Sequence, residues 1–349
     1  MTAPSFGRIR DLNGLPELIV HMAGDDGLEN AFARQSLPLE LLDTPEAIIP
    51  MRDLIALYRN AAEVSGMRSF GLAAAEGIEF EDYGAWGKFI VQAPTLRQAL
   101  RRFQIALPYY ETGSRLTLRE FGDEFVIGYE NTYQNLSGYR HAGDMVLRVI
   151  EALIRDYLGT HWIPLKVSIC GIPGPWEQDY EDAFSAAVAF SDDGLELVVD
   201  RELVDQSRKS AEAGLGEFVS IADLQRVGTD LPTDFLDGVA HLISLRLPAG
   251  GFGLEDIAES LALGPRTVQR RLEEYGMNYR ALVTKCRMQR ARELLTGTQA
   301  NIEQVGRELG YSGISQFTRA FINAHGVPPS KFQHMHSQMR SPEKTGPHL

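Results

Sequence analysis

Cysteine is nearly absent from this chain of 349 residues: only Cys170 and Cys286 occur. Two thiols cannot build the disulfide framework of a secreted scaffold, so a reducing cytoplasm is the expected compartment. No apolar run approaches the ~18 residues of a membrane span, and no membrane association is expected. The opening MTAPSFGRIRDLNG lacks the basic-then-apolar order of a secretory signal. Catalytic signatures are missing too. There is no Gly-x-Ser-x-Gly nucleophile turn, and His334 and His336 have no Cys/His companions at metal-ligand spacing. Gly250-Gly251-Phe252-Gly253 lacks the preceding strand and the third glycine of a dinucleotide loop. No catalytic residue, cofactor or metal is expected. Nor is there positive charge overall: the formal net charge is −13, which taken whole argues against nucleic acid.

What is present is an ordinary globular composition, 44% hydrophobic and 23% charged, long enough for two domains at roughly 150 residues each. Charge is unevenly divided between them. Residues 1–249 hold 21 Lys/Arg and 38 Asp/Glu, a net of −17, whereas residues 250–340 hold 12 and 8, a net of +4. An acidic region thus precedes a mildly basic one.

Periodicity separates the same two regions. Met51–Val64 has helical spacing stopped by Gly66. Thr95 is placed to cap Leu96–Leu107, and Gly138–Leu158 reads as a long amphipathic helix ending at Gly159. Leu116 and Leu118, then Phe125, Ile127 and Tyr129, alternate around Gly122-Asp123 as a hairpin. Leu165–Ile169 and Leu195–Val199 read as strands and Trp176–Ala187 as a helix, while the first 50 residues are mixed. The irregular alternation gives an α+β class for residues 1–228. Residues 229–235 form a Pro-containing linker. After it the strand signal vanishes: residues 236–335 are all-α, and the polar tail 336–349 is expected to be disordered.

Within the helical region a single design occurs twice. Leu254–Gly264 followed by Pro265–Leu272, and Ile302–Gly310 followed by Tyr311–Phe321, each give a short helix, a turn and a second helix. Ala258 and Gly306 are the small residues at which the paired helices must cross. That is helix-turn-helix logic, in which the second helix enters the major groove. The second helices present Arg266, Thr267, Gln269 and Arg270 in one unit, and Ser315, Gln316, Thr318 and Arg319 in the other. Arg reads guanine and Gln reads adenine through paired hydrogen bonds, and Ser and Thr serve bases or phosphates. Val268, Leu272, Phe317 and Phe321 fall on the opposite, buried face. Between the units Tyr279–Leu295 is one helical pattern about 25 Å long. Its Arg287, Arg290 and Arg292 read as ion-pair partners rather than base readers.

These stretches resemble the DNA-binding domain of the AraC/XylS family of bacterial transcription regulators. IAESLALGPRTVQRRLEEYGMNYRAL, RARELL and VGRELGYSGISQFTRAFINAHGVPPSKF carry the likeness over roughly 100 residues. Gly306 stands where the family usually has Ala. Ile314-Ser315 replaces a more polar opening of the second reading helix, which shifts that unit toward phosphate positioning. Phe70-Gly71-Leu72, Pro94–Leu100 and Leu197–Asp200 resemble the arabinose-binding-like effector domain of one branch of the family. The resemblance implies a cytoplasmic regulator of promoter DNA with an effector-sensing and oligomerising N-terminal domain. Its implied partners are double-stranded DNA, an unknown small-molecule effector, RNA polymerase and a second copy in a homodimer. Tyr83, Trp86, Tyr109, Tyr129 and His141, with Tyr110 and Trp162, are candidates for the effector pocket, although aromatics on core faces are usually just core. Cys170, before Gly171-Ile-Pro-Gly174, reads as a small buried residue at a strand end rather than a sensing thiol. Two other readings stand beside this one: constitutive DNA binding with an N-terminal domain that only dimerises, and an enzyme with a helical appendage.

Overall fold

A computed structural model describes residues 4–172, 174–191, 194–208, 218–248, 250, 252–297 and 301–340. It divides into two compact units, Met1–Thr233 and Asp234–Leu349.

In the first unit β1 (Phe6–Arg8) pairs antiparallel with β2 (Ile48–Pro50), and α1 (Leu15–Ala33) runs between them. This helix corrects the expectation of a mixed first 50 residues. Gly24, at φ +71°, kinks it, so its two halves share no single apolar stripe and its Gly-Asp-Asp-Gly centre imitates a turn. α2 (Met51–Ser65) ends at Gly66 in the left-handed region, at φ +69°. α3 (Phe70–Ala74) and α4 (Gly84–Val91) follow, then α5 (Leu96–Ala106), whose cap Thr95 accepts the Gln98 N–H at 3.4 Å. The hairpin β3 (Ser114–Phe121) and β4 (Glu124–Asn131) turns at Gly122 as its pattern requires. α6 (Tyr139–Leu158), β5 (Lys166–Cys170), α7 (Glu177–Phe184), β6 (Val188–Ser191) and β7 (Leu195–Asp200) complete a five-stranded sheet of order β3-β4-β7-β5-β6. Only β5 and β6 pair in parallel. The helix expected to reach Ala187 stops at Phe184, and β6 directly after it is a short half-buried edge strand with little pattern of its own.

The core lies between this sheet and α6. Leu147, Ile150, Leu153, Ile154 and Tyr157 from the helix are essentially buried, as are Val167, Ile169, Leu197 and Val199 from the strands. α3 closes on the same helix at Gly71, where a β-carbon would stand 2.6 Å from Asp144 Oδ2 and run into the His141 carbonyl. α8 (Ile221–Val227) and a 3-10 turn over Gly228–Asp230 end the unit, so the expected linker 229–235 divides between that turn and the cap of the next helix.

Among its described residues the second unit has helices and no strand: α9 (Phe235–Arg246), α10 (Leu254–Ser260), α11 (Pro265–Glu274), α12 (Tyr279–Gly297), α13 (Ile302–Glu308), α14 (Ile314–His325) and α15 (Pro329–Arg340). Asp234 caps α9 by accepting the Asp237 N–H at 2.8 Å. α15 corrects the expected tail, because helix continues through Arg340; residues 341–349 lie outside the described residues. Pro329 at its start fixes the backbone for a first helical turn, which the surrounding polar residues disguise. No helix among the described residues is long and apolar enough to cross a membrane.

Candidate nucleic-acid interface

α12 is the spine of the second unit, in contact with α9, α13, α14 and α15. Its inner face joins Met288, Ala291 and Leu295 to Val305, Leu309, Phe317 and Phe321 in one buried cluster. Leu282 on the same spine is buried, as are Val239, Leu242, Ile257, Val268 and Leu272 of α9–α11. At about 25 cal/mol per Å2 of apolar surface, such burial is what holds short helices that would melt alone.

Two turns repeat one geometry. In the first, Ala262 sits at φ +53° and the Leu263 N–H donates to the Ala258 carbonyl at 2.9 Å; in the second, Gly310 sits at φ +74° and the Tyr311 N–H donates to the Gly306 carbonyl at 3.0 Å. The second turn is one residue longer, with α14 starting at Ile314 behind Gly313. α13 and α14 cross closely at Gly306, where a β-carbon would lie 3.3 Å from Phe317 Cβ. Ala258, its counterpart, is 1% exposed.

Both second helices turn an apolar face inward and a polar face outward. Val268, Leu272, Phe317 and Phe321 are fully buried. Arg266, Gln269 and Arg270 on α11, and Ser315, Gln316 and Arg319 on α14, are exposed, while Thr267 and Thr318 are half-buried at the edge. Arg270 Nη1 lies 3.3 Å from Glu274 Oε1, one turn on and equally exposed, a pairing weak enough to be exchanged for another anion. Ser312 Oγ donates to Gln316 Oε1 at 2.9 Å, and Arg319 Nε to the Ser315 carbonyl at 3.4 Å.

Of the spine arginines expected as ion-pair partners, Arg290 is one, whereas Arg287 and Arg292 are not among the ion pairs of the described residues. Arg290 pairs with Glu293 at 3.4 Å and with Glu308 at 4.0 Å, and Arg292 is exposed. Arg287 instead meets two rings, Phe252 at 5.0 Å and Tyr311 at 5.3 Å. Phe252 belongs to the approach to α10, held to the spine where Tyr279 Oη donates to its carbonyl at 2.6 Å, and Tyr311 to the turn before α14. Sequence reasoning missed this contact because its partners lie 35 residues before and 24 after Arg287.

In the first unit Tyr83, Trp86 and Tyr129 do come together, with Tyr110, Phe103, Asp11 and Glu111, around a cavity of only about 30 Å3. Tyr110 Oη donates to Asp11 Oδ1 at 2.6 Å and Tyr129 Oη to Glu111 Oε1 at 2.5 Å. Burial, with Asp11 close by, pushes the Glu111 carboxyl up to about 7. That volume is the size of one or two waters. Tyr109 and His141 are outside it. Successive residues of a 3-10 turn point to different sides, so Tyr110 faces in while the Tyr109 hydroxyl accepts from Gln225 at 3.2 Å. His141 lies 3.9 Å from Asp144 on α6, and burial beside Arg140 pulls it down to about 4. Cys170 is buried at the end of β5. Among the described residues no His/Cys/Asp/Glu cluster could hold a metal ion.

Comparisons with known proteins agree with this division. Residues 27–207 match the arabinose-binding domain of AraC transcription regulators, and residues 257–335 match a helix-turn-helix domain family. The HTH-type transcriptional regulator Rv1395 of Mycobacterium tuberculosis is 25% identical over 323 residues, spanning 83% of this chain and 86% of its own. The ornithine utilization regulator of Pseudomonas aeruginosa is 22% identical over 307 residues, 84% and 87% of the two chains. GadX of Escherichia coli K12 is 34% identical over 88 residues, 25% of this chain and 32% of its own. With an arabinose-binding-like domain over half its length and a double helix-turn-helix behind it, the chain belongs to the AraC family of DNA-binding transcription regulators, and it is not an enzyme.

Proposed function

We propose that this regulator reads promoter DNA with α11 and α14 in two successive major grooves, under the control of a small-molecule effector held by its first unit. The observation that carries the proposal is the repeated turn: the same backbone geometry presents two basic and polar helices from one spine. The spine's 19 residues extend about 28 Å, close to the ~34 Å turn of the duplex once helix width is added. Arg266, Gln269 and Arg270 are the leading base contacts, supported by Thr267; Ser315, Gln316, Thr318 and Arg319 serve the second element. The net −17 of residues 1–249 repels the duplex and leaves contact to the second unit. A cytoplasmic homodimer that engages RNA polymerase from its bound site completes the reading.

Affinity selection of fragmented genomic DNA on the full-length protein, followed by sequencing, tests it. Enrichment of sites with two short elements one helical turn apart is the expected result. Enrichment by both full-length protein and residues 234–349, unaffected by any small molecule, would favour the constitutive alternative. Selection of no sequence by either would refute the two-groove reading.

A further inference from the structure

The first unit contains another, larger cavity, of about 530 Å3, between the chain joining α3 to α4 and one face of α6. Small-molecule sites usually measure ~300–1,000 Å3. Residues 75–80 line one side. Arg148, Glu151, Ala152, Arg155 and Asp156 line the other, spaced three and four apart along the helix, and Thr160 and Arg208 complete the wall.

Its helical wall is cross-linked by ion pairs. Glu151 is 2% exposed, one carboxylate oxygen 2.5 Å from Arg148 Nη1 and the other 2.8 Å from Arg155 Nη2. Arg148 also donates to the Ala183 carbonyl at 3.2 Å and stacks 4.8 Å over the Phe184 ring. Arg155 Nε donates to the Trp162 carbonyl at 3.4 Å, and Arg208 pairs with Asp156 at 3.4 Å. Arg148 and Arg155 each carry five N–H groups, more than these bonds occupy, so donors are left for a ligand oxygen. Ala152, between Arg148 and Arg155, is too short to fill the space above it.

Charge is polarised across the gap. The helical side sets three guanidinia against Glu151 and Asp156, whereas the loop contributes the exposed Glu76 and Glu79 and no cation. We propose that this cavity binds a zwitterionic amino-carboxylate, its carboxylate on Arg148 and Arg155 and its ammonium at Glu76 and Glu79. A dicarboxylate meets repulsion at the loop, a diamine at the helix, and a neutral sugar leaves both walls uncompensated. The inference rests on the reading of the first unit as an effector sensor and gives that sensor its cavity and ligand class.

The test is thermal melting of the full-length protein with each of the twenty standard amino acids, and with arabinose, succinate and putrescine as neutral, dianionic and dicationic probes. The expected result is a rise with at least one amino acid and none with the three controls. Ala152→Leu fills the cavity and should abolish the rise, its unliganded melting confirming the fold. Glu79→Gln, on the exposed loop, should weaken binding about tenfold, the size of one charge-assisted contact. No rise with any amino acid, a rise undiminished in Ala152→Leu, or an equal rise with a control would overturn the assignment. DNA affinity measured with the same compounds separates it from the reading beneath it. A control that binds and alters DNA affinity keeps the effector reading and sinks the amino-carboxylate. An amino acid that binds through the cavity without altering DNA affinity does the reverse.

Discussion

The guanidinium of Arg287 lies 5.3 Å from the ring centroid of Tyr311, which makes one side chain of the spine a contact of the second helix-turn-helix turn. Its second ring partner, Phe252, stands before the first helix-turn-helix. Arg287→Ala should therefore cost ~1–3 kcal/mol of stability, from two partly desolvated cation–π contacts and lost packing. The more telling effect is on DNA. Binding to a two-element site should weaken more than binding to either element alone, because the phase between the helices loosens. Titration of both duplexes with the variant checks this; equal losses on the two would show a purely structural role.

The two matching turns make opposite predictions for one exchange. Ala262 holds a left-handed conformation that costs an L-residue ~1–2 kcal/mol, and glycine would relieve it at a smaller entropic cost. Ala262→Gly should stabilise the second unit by ~0.5–1 kcal/mol. Gly310→Ala should destabilise it by more than ~1 kcal/mol, since the new β-carbon adds strain and approaches Arg287 Nη2 to 3.0 Å. Denaturant unfolding of residues 234–349 measures both. If the two substitutions shift stability in the same direction, the equivalence of the turns is wrong.

Buried acid chemistry sets the response of the first unit to pH. Burial pushes the Asp144 carboxyl up to about 7, against the Tyr180 hydroxyl that donates to it at 2.7 Å and the nearby Arg140 and Arg148. An unfolded Asp titrates near ~3.9, so the stabilising contribution of protonated Asp144 is complete below that pH and is lost as pH rises through about 7. His141 runs the other way: held neutral down to about 4, its contribution is present above ~6.5 and is lost as pH falls toward 4. Asp144→Asn keeps an acceptor for Tyr180 and removes only the first effect. Its melting temperature relative to the parent should be higher at pH 8 than at pH 5. An offset independent of pH would contradict the raised carboxyl.

Arg270 and Arg292 are both exposed arginines of the second unit, yet they should behave differently. Arg270→Ala should cost ~1–3 kcal/mol at the selected site and relax its sequence preference. Arg292→Ala, on the spine, should leave preference intact. Competition binding with specific and random duplexes distinguishes them, and equal loss on both DNAs for Arg270→Ala would remove it from the base contacts.

Local signals were the legible ones. Thr95, Gly66, Gly122 and Gly159 each mark an element boundary because a cap or a left-handed residue acts within a few positions, and the buried and exposed faces of α11 and α14 follow from a 3.6-residue period. α1 escaped because Gly24 interrupts that period, and α15 because it hides in polar sequence. The candidate site divides in the same way. Helix periodicity found the outward residues of the second helices, but the ring contacts of Arg287 and the in-or-out choice between Tyr109 and Tyr110 depend on partners distant in sequence. The charged cavity was illegible for that reason too: its lining joins residues 75–80 to 148–160 and 208.

The proposed two-groove reading places two unlike helices, α11 and α14, in tandem on one chain. A dimer with two-fold symmetry reads an inverted repeat, which looks the same from either strand. The exposed faces differ, Arg266, Gln269 and Arg270 on α11 against Ser315, Gln316 and Arg319 on α14, so on the proposed two-groove reading a single chain's target has no such symmetry. Each chain's own element pair therefore carries a direction, whether it stands alone or as one half of a dimer's site. Inverting it in place, with every base pair retained, would turn the bound protein end for end and present its other side to whatever is transcribed nearby.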